Sequence, residues 1–102
     1  MPRFDIYVNP NKAASHGLYL DVQSDLVSLS TRWCIPLSIH VPFRPIIQGA
    51  QALIAVDGRE YVMNMPNLLT VPARPLRQQA GRLATNGQLI AESCIEFMLR
   101  SY

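Results

Sequence analysis

The sequence predicts a mainly β (α+β) protein: a small barrel-like or bent antiparallel sheet of about five or six strands with one α-helix on one side. Three observations support this class. Several short segments alternate apolar and polar residues, an Asp-Gly pair joins two of them, and a helical apolar period appears only near the C-terminus. The 102 residues fit a single domain, residues 1–102, because either half alone would be too small to close a core.

Two N-terminal segments are predicted to pair as neighbouring strands. Phe4–Val8 and Leu18–Gln23 both carry an apolar residue at every second position, which is the period of a half-buried strand. Asn9-Pro10-Asn11 ends the first segment, since proline cannot donate to a ladder and asparagine tolerates turns. The polar stretch 12–17 is then expected to form the connecting loop.

A third strand is predicted over Trp33–Val41, and a short final strand over Leu68–Pro72. Pro36 removes one donor from the third strand, which indicates an edge strand or a bulge. Trp33 is interpreted as a core residue, because a tryptophan on a strand usually packs inside.

The clearest local signal is the segment Ala52–Met63, in which Asp57-Gly58 separates two apolar runs. This pair predicts a two-residue type I′ hairpin turn, since both turn positions require positive φ. The turn also sets the register: Val56 faces Arg59, and each later pair lies one step further from the turn. Apolar residues on both faces predict that the hairpin is covered on both sides.

From Thr85 onward the apolar residues follow a helical period, with no proline and no glycine after residue 87. Thr85 and Gln88 fit a capping box that places Thr85 at the N-cap. Glu96 and Arg100 are four residues apart, in the order that favours an ion pair. The apolar stripe of this helix consists of Leu89, Ile90, Cys94, Phe97 and Met98.

Charged residues make up only 16% of the chain, against roughly 25% in an average domain, which we interpret as a sign of a buried subunit interface. The net charge is +2. The stretch 61–91 holds three arginines and no acid; an acidic partner would suit it, although scattered arginines usually form a solvated surface.

No apolar run is long enough to cross a membrane, and the N-terminus lacks the apolar segment of a signal peptide. A cytoplasmic location is therefore expected.

Metal-binding and catalytic constellations are missing from the sequence. His16 and His40 have no cysteine, aspartate or histidine at ligand spacing, so no metal site is expected. Cys34 and Cys94 lie in apolar runs and are interpreted as reduced thiols packed in the core. Without a nucleophile elbow or a glycine-rich phosphate loop, neither catalytic residues nor a cofactor are expected.

Two further polar features have ordinary structural interpretations. Asp21 and Asp25 are interpreted as acceptors of hydrogen bonds from backbone N–H groups in a turn, rather than as an acid–base pair that shares a proton. Arg32 followed by Trp33 has the chemistry to stack on a nucleobase, but the core interpretation of the tryptophan is preferred.

Four blocks of sequence together point to a known family. They are Phe4–Tyr7, Asp21–Leu26, Arg32–Leu37 and Thr70–Pro72, followed by the apolar C-terminal helix. In these blocks the chain resembles CcdB, the toxin of bacterial plasmid and chromosomal toxin–antitoxin modules. The match runs nearly end to end, and the block Asp21–Leu26 is its most specific part.

The resemblance implies an SH3-like barrel, the fold shared with the MazF and Kid toxins, in a homodimer whose two C-terminal helices lie close together. It implies a poison that is not an enzyme and needs no cofactor: the dimer wedges into the A subunit of DNA gyrase and traps the complex with cleaved DNA. A CcdA-like antitoxin would fold onto the toxin and release gyrase. Operator DNA would be bound only by the toxin–antitoxin complex, which represses its own promoter.

Family contacts with gyrase come from the loop after the Asp21 block and from the end of the helix. By position they correspond to Ser24, Leu26, Val27, Glu96, Leu99, Arg100, Ser101 and Tyr102. Well-studied poisons of the family end in Trp-Gly-Ile, whose tryptophan stacks on a gyrase arginine, whereas this chain ends Arg100-Ser101-Tyr102. Tyr102 offers an aromatic face in place of that tryptophan. Leu26, Val27 and Leu99 also fit a purely structural role in the dimer interface, and for Leu26 and Leu99 this role fits as well as gyrase contact does.

Two alternatives stay open. One is an endoribonuclease of the same fold, similar to MazF, in which Arg32, Asp25 and Ser24 would act on a scissile phosphate. The other is a family member that still binds its antitoxin but no longer poisons gyrase, which the altered C-terminus motivates.

Overall fold

The computed structural model describes residues 2–14, 16–23, 30–41 and 44–100. Within these ranges seven strands, one short 3₁₀ turn and one helix follow each other along the chain. The elements are β1 (Asp5–Val8), β2 (Leu18–Asp21), β3 (Thr31–Ile39), β4 (Gln51–Val56), β5 (Arg59–Asn64), the 3₁₀ turn Met65–Asn67, β6 (Leu69–Pro72), β7 (Gln79–Arg82) and α1 (Thr85–Arg100).

All seven strands belong to one antiparallel sheet in the order β4-β5-β3-β2-β1-β7, with β6 attached to β3. The sheet curls into a half-barrel whose two edge strands approach each other: a Cβ atom on Gly81 of β7 would lie 4.0 Å from Cγ1 of Val56 in β4. The predicted fold class is therefore confirmed. The strand count was too low, because β7 was not predicted and β6 is not the last strand.

The long strand β3 changes partner halfway. Its first part, Thr31–Cys34, pairs with β6, and its last part, Leu37–Ile39, pairs with β5. The Trp33 carbonyl accepts the N–H of Val22, so the backbone polar groups of Trp33 point toward β2. Because these groups alternate in direction along a strand, the backbone nitrogen of Pro36 points away from β2, to the side where the partner changes from β6 to β5. The prediction of an edge strand or bulge at Pro36 was wrong, because the missing donor falls in the gap between two partners of a central strand.

Apolar side chains form one cluster on each face of the sheet. The larger cluster lies between the concave face and α1, and its fully buried members include Ile6, Leu20 and Ile35. A smaller cluster on the other face joins Cys34 and the strand tyrosines to Leu76, which the segment between β6 and β7 brings over the sheet. Both cysteines are buried free thiols, as predicted.

The hairpin β4–β5 has the predicted register along its whole length, with Val56 opposite Arg59 and Leu53 opposite Val62. Both turn residues have positive φ, 51° at Asp57 and 77° at Gly58, as a type I′ turn requires. Coverage on both sides was predicted, but Leu53 and Val62 remain only half-buried on the outer face.

Replacing Gly58 by alanine is expected to lower the free energy of unfolding by about 1 kcal/mol, because a Cβ atom disfavours the left-handed conformation. The loss is conformational rather than steric, since nothing lies within 4 Å of the added Cβ. Urea denaturation measures it. Gly17→Ala is the matched control, because Gly17 has equal space around it and no positive φ. Equal losses in both variants would contradict the argument.

Helix α1 begins differently from the prediction. The first helical N–H, that of Gln88, donates to the carbonyl of Ala84, so Ala84 is the N-cap and Thr85 is already inside the helix. The Gln88 side chain donates to the Leu83 carbonyl at 2.8 Å. The capping box on Thr85 was wrong because Leu83, buried and hydrogen-bonded to the Phe4 carbonyl, fixes where the chain leaves the sheet.

The predicted apolar stripe of α1 is only partly buried. The helix packs on the sheet through the small residues Gly87, Ala91 and Cys94, which let it approach closely. Leu89 and Phe97, in contrast, are exposed to 60% and 47%. Much of the apolar surface of this helix thus remains available to a partner.

Candidate target-binding surface

The last turn of α1 presents three of the residues that the resemblance assigns to gyrase contact. Leu99 is 72% exposed, and Glu96 and Arg100 form the predicted ion pair across one helical turn. Arg100 is also the one basic residue in the last turn of the helix, where a positive charge interacts favourably with the helix dipole. Ser24, Leu26, Val27, Ser101 and Tyr102 lie outside the described residues.

A buried polar network joins the ends of β2 and β3. The carboxylate of Asp21 accepts two hydrogen bonds from the Arg32 guanidinium, from Nε at 2.8 Å and from Nη2 at 3.1 Å. It also accepts the backbone N–H of Gln23 at 3.0 Å, as the turn interpretation predicted. Gln23 in turn accepts the N–H of Trp33 through Oε1 at 3.1 Å. Asp21 is 0% and Arg32 is 4% exposed.

Trp33 does not lie in the core: it is 55% exposed, so that prediction was wrong. Its side chain points to the same face as Ile35 and Leu37, but β3 extends beyond the edge of the core at this end. A shallow apolar depression brings it together with Leu68 and Leu69. Alternation along the strand gave no signal for this exposure, because it reports which face a residue is on and not where the core ends.

A second apolar surface lies between α1 and the edge strand β4. This helix–edge groove has a volume of about 490 Å³ and is lined mainly by apolar side chains. Its lining residues include Gly49, Ala52, Leu89, Ile90, Cys94 and Phe97. The sequence indicated such a surface only indirectly, through the low proportion of charged residues.

The other candidate residues make ordinary structural contacts. His16 Nε2 lies 3.0 Å from the hydroxyl of Tyr19, and His40 Nδ1 lies 3.3 Å from a carboxylate oxygen of Glu60. In the part of the chain that the structure describes, no three His, Cys, Asp or Glu side chains group as metal ligands.

Arg82, one of the arginines of the acid-free stretch 61–91, donates a hydrogen bond to the Asp5 carboxylate at 2.9 Å. Among the described helices, none is long and apolar enough to cross a membrane.

Neither thiol is placed to react. Burial, with a smaller contribution from the nearby Asp21 carboxylate, raises the pKa of the Cys34 thiol from 9.0 to about 12. Burial also raises the pKa of Cys94. Both cysteines therefore stay protonated in the folded protein at neutral pH, where a thiol is a poor nucleophile.

We expect the free energy of unfolding to fall as the pH rises from 9 toward 12, by up to about 1.4 kcal/mol per pH unit for the Cys34 thiol. In that window the unfolded chain releases the thiol proton while the folded chain retains it, so higher pH favours unfolding. Burial raises the pKa of Tyr7 and Tyr19 as well, which acts in the same direction. Urea denaturation between pH 8 and 11 measures the slope, and Cys34→Ala should flatten it. An unchanged slope in that variant would contradict the assignment.

Comparison with known proteins agrees with these features. A family model described as CcdB protein matches residues 3–100. The chain belongs to the CcdB family. Its members are toxins of toxin–antitoxin systems, so the resemblance drawn from the four sequence blocks is confirmed.

Solved structures give the same fold, although no curated protein matches the sequence. A match among them is described as an endoribonuclease in complex with its cognate antitoxin, from mycobacterial species. It superposes on this CcdB-family chain with a TM-score of 0.81 and 14% sequence identity, covering 97% of this chain and 94% of that one. At this identity the likeness shows a shared fold and nothing about the reaction.

Proposed function

We propose that this CcdB-family toxin acts by binding the A subunit of DNA gyrase and trapping the complex with cleaved DNA, and that it is not an enzyme. The observation that carries the proposal is the family match over residues 3–100, which includes the whole described part of α1 up to its exposed last turn. Glu96, Leu99 and Arg100 supply the described part of the gyrase-binding surface.

The exposure of the helix end supports a binding role. Leu99, a large aliphatic side chain at the end of a rigid helix, is 72% exposed, so it gains free energy when a partner buries it, without any folding of the toxin. Glu96, which pairs with Arg100, adds a carboxylate at the rim of this surface, where a charged group contributes to orientation more than to affinity.

The burial of Arg32 weighs against the endoribonuclease alternative. In that mechanism the guanidinium would have to reach a scissile phosphate, but Arg32 is 4% exposed and donates two hydrogen bonds to Asp21, at 2.8 and 3.1 Å. Freeing it would leave the Asp21 carboxylate buried without a counter-charge, which is strongly unfavourable. The fold shared with an endoribonuclease does not change this, because fold alone does not define a reaction.

The functional unit is a homodimer whose protomers meet through the exposed apolar side of α1. Leu89, Ile90 and Phe97 would be buried there, which accounts for the low proportion of charged residues. Leu89→Asp should convert the dimer into a monomer in sedimentation or light-scattering measurements. A wild-type chain that is monomeric at micromolar concentration would contradict this assembly.

A CcdA-like antitoxin neutralises the toxin, and operator DNA is bound only by the toxin–antitoxin complex, as part of promoter autoregulation in the bacterial cytoplasm. The antitoxin in the structure of similar fold supports the first of these partners. We expect the antitoxin to be encoded next to the toxin. Expression of the toxin alone should arrest growth, and coexpression of this neighbouring gene should restore it.

The deciding experiment incubates the purified toxin with gyrase, relaxed DNA and ATP, and measures cleaved DNA after denaturation of the protein. The wild-type chain should stabilise cleavage, and Leu99→Asp should abolish the effect. Ile47→Asp is the matched control, because Ile47 is a similarly exposed aliphatic residue (63% against 72% for Leu99) outside the proposed surface. The control should poison gyrase as well as the wild type does.

Two other outcomes identify the alternatives. Cleavage of single-stranded RNA without any effect on gyrase would establish the endoribonuclease. Tight antitoxin binding with neither activity would establish a family member that has lost its target.

A further inference from the structure

The ends of β2 and β3 are held together by side chains where the regular strand ladder ends. The last ladder pair joins Asp21 and Cys34. Beyond it the Val22 N–H donates to the Trp33 carbonyl at 2.9 Å, and the Gln23 side chain accepts the Trp33 N–H. The buried Asp21–Arg32 ion pair connects the same two strands.

Stability alone does not explain a buried ion pair at this place. Removing two charges from water is unfavourable, and replacing such a pair by apolar side chains of similar volume is often neutral or stabilising. What the pair does provide is geometry. The planar guanidinium donates through two nitrogens to one carboxylate, which fixes distance and direction together.

We propose that Asp21 and Arg32 are a positioning pair for target binding: their forked ion pair sets the spacing and direction of the ends of β2 and β3, and thereby the orientation of the exposed Trp33. This inference rests on the proposed function. Ser24, Leu26 and Val27, to which the resemblance assigns gyrase contacts, come within four residues after Gln23 in the chain.

The hydrogen bonds around the Asp21–Arg32 pair support a rigid arrangement of the two strand ends. Among the described residues, no buried side-chain nitrogen or oxygen lacks a hydrogen-bond partner. A polar network in which every member is satisfied specifies one arrangement, whereas a partly satisfied one allows several. The positioning pair therefore defines a single geometry at this end of the sheet.

The test compares wild-type toxin with the double variant Asp21→Leu/Arg32→Met, in which two apolar side chains of similar size replace the pair. A positioning role predicts a melting temperature within a few degrees of the wild type, together with at least a tenfold weaker affinity for the gyrase A subunit. Arg32→Lys keeps the charge but loses the fork, and should lie between the two in affinity. Arg59→Met, on an exposed strand residue, should change neither quantity.

A second readout does not need gyrase. Hydrogen exchange of the Trp33 backbone amide should accelerate in the double variant, and the fluorescence of this residue, the only tryptophan of the chain, should shift. Unchanged exchange and fluorescence would overturn the positioning role, as would full gyrase affinity in the double variant. If the wild-type chain does not bind gyrase, the proposed function is overturned instead. Hydrogen exchange of the Trp33 amide would then still decide whether Asp21 and Arg32 hold the ends of β2 and β3 together.

Discussion

Replacing Asp21 by asparagine is expected to lower the free energy of unfolding by about 3–5 kcal/mol, the largest loss expected of any single substitution considered for this protein. Asparagine keeps the volume and one oxygen that accepts the Gln23 N–H, but its amide nitrogen is a donor and cannot accept the hydrogen bond from Arg32 Nε. It removes the charge that balances the Arg32 guanidinium, which is buried too deeply for water to take over. Urea denaturation at one fixed protein concentration measures the change, since dimerisation would make stability depend on concentration.

Two further variants separate the charge from other effects of the substitution. Asp57→Asn makes the same chemical change in the exposed hairpin turn, where asparagine tolerates the positive φ of 51°, and it should alter stability by less than about 0.5 kcal/mol. The double variant Asp21→Leu/Arg32→Met removes both charges and should recover most of the loss. A loss below about 1 kcal/mol in Asp21→Asn would mean that water or a rearranged partner reaches Arg32.

The elements that sequence alone predicted well are those encoded by local chemistry. The turn at Asp57-Gly58 requires positive φ at two adjacent positions, and this requirement set the whole register of β4 and β5. The pairing of β1 with β2 was predicted for the same kind of reason, because a short polar loop joins two alternating segments. The Glu96–Arg100 pair depends only on helix periodicity.

The elements that were missed depend on distant parts of the chain. Strand β7 has the sequence Gln-Ala-Gly-Arg, which lacks apolar alternation, and it is extended because it pairs with β1 from the other end of the protein. The start of α1 is likewise fixed by the contact of Leu83 with Phe4 rather than by Thr85. Local pattern carries no information about either contact.

The candidate site shows the same division. The resemblance identified the helix end, and the structure places Glu96, Leu99 and Arg100 together there. Sequence reasoning considered Asp21 as a turn residue and Arg32 as a partner for a nucleobase or phosphate, but it did not pair them. They are 11 residues apart and meet only because β2 and β3 are antiparallel neighbours.

Replacing Arg100 by tryptophan is expected to strengthen gyrase binding by about tenfold or more, since like charges placed against each other at an interface cost several kcal/mol. The resemblance places a gyrase arginine opposite this end of the helix. An arginine there repels that guanidinium, whereas a tryptophan would stack on it through a cation–π contact. The substitution should hardly affect folding, because the Arg100 side chain is 80% exposed and loses only one surface pair with Glu96. Calorimetric titration of the intact gyrase A subunit measures the affinity.

Arg59→Trp is the matched control, because it adds the same aromatic surface at another exposed arginine, next to the hairpin turn. It should bind gyrase no better than the wild type, which excludes a general gain from added apolar area. If both variants gained equally, the effect would be non-specific. Removing a repelling charge must raise the affinity wherever the two guanidinium groups face each other. If Arg100→Trp gained nothing while Leu99→Asp still abolished binding, the helix end would therefore contact gyrase at a place away from that arginine.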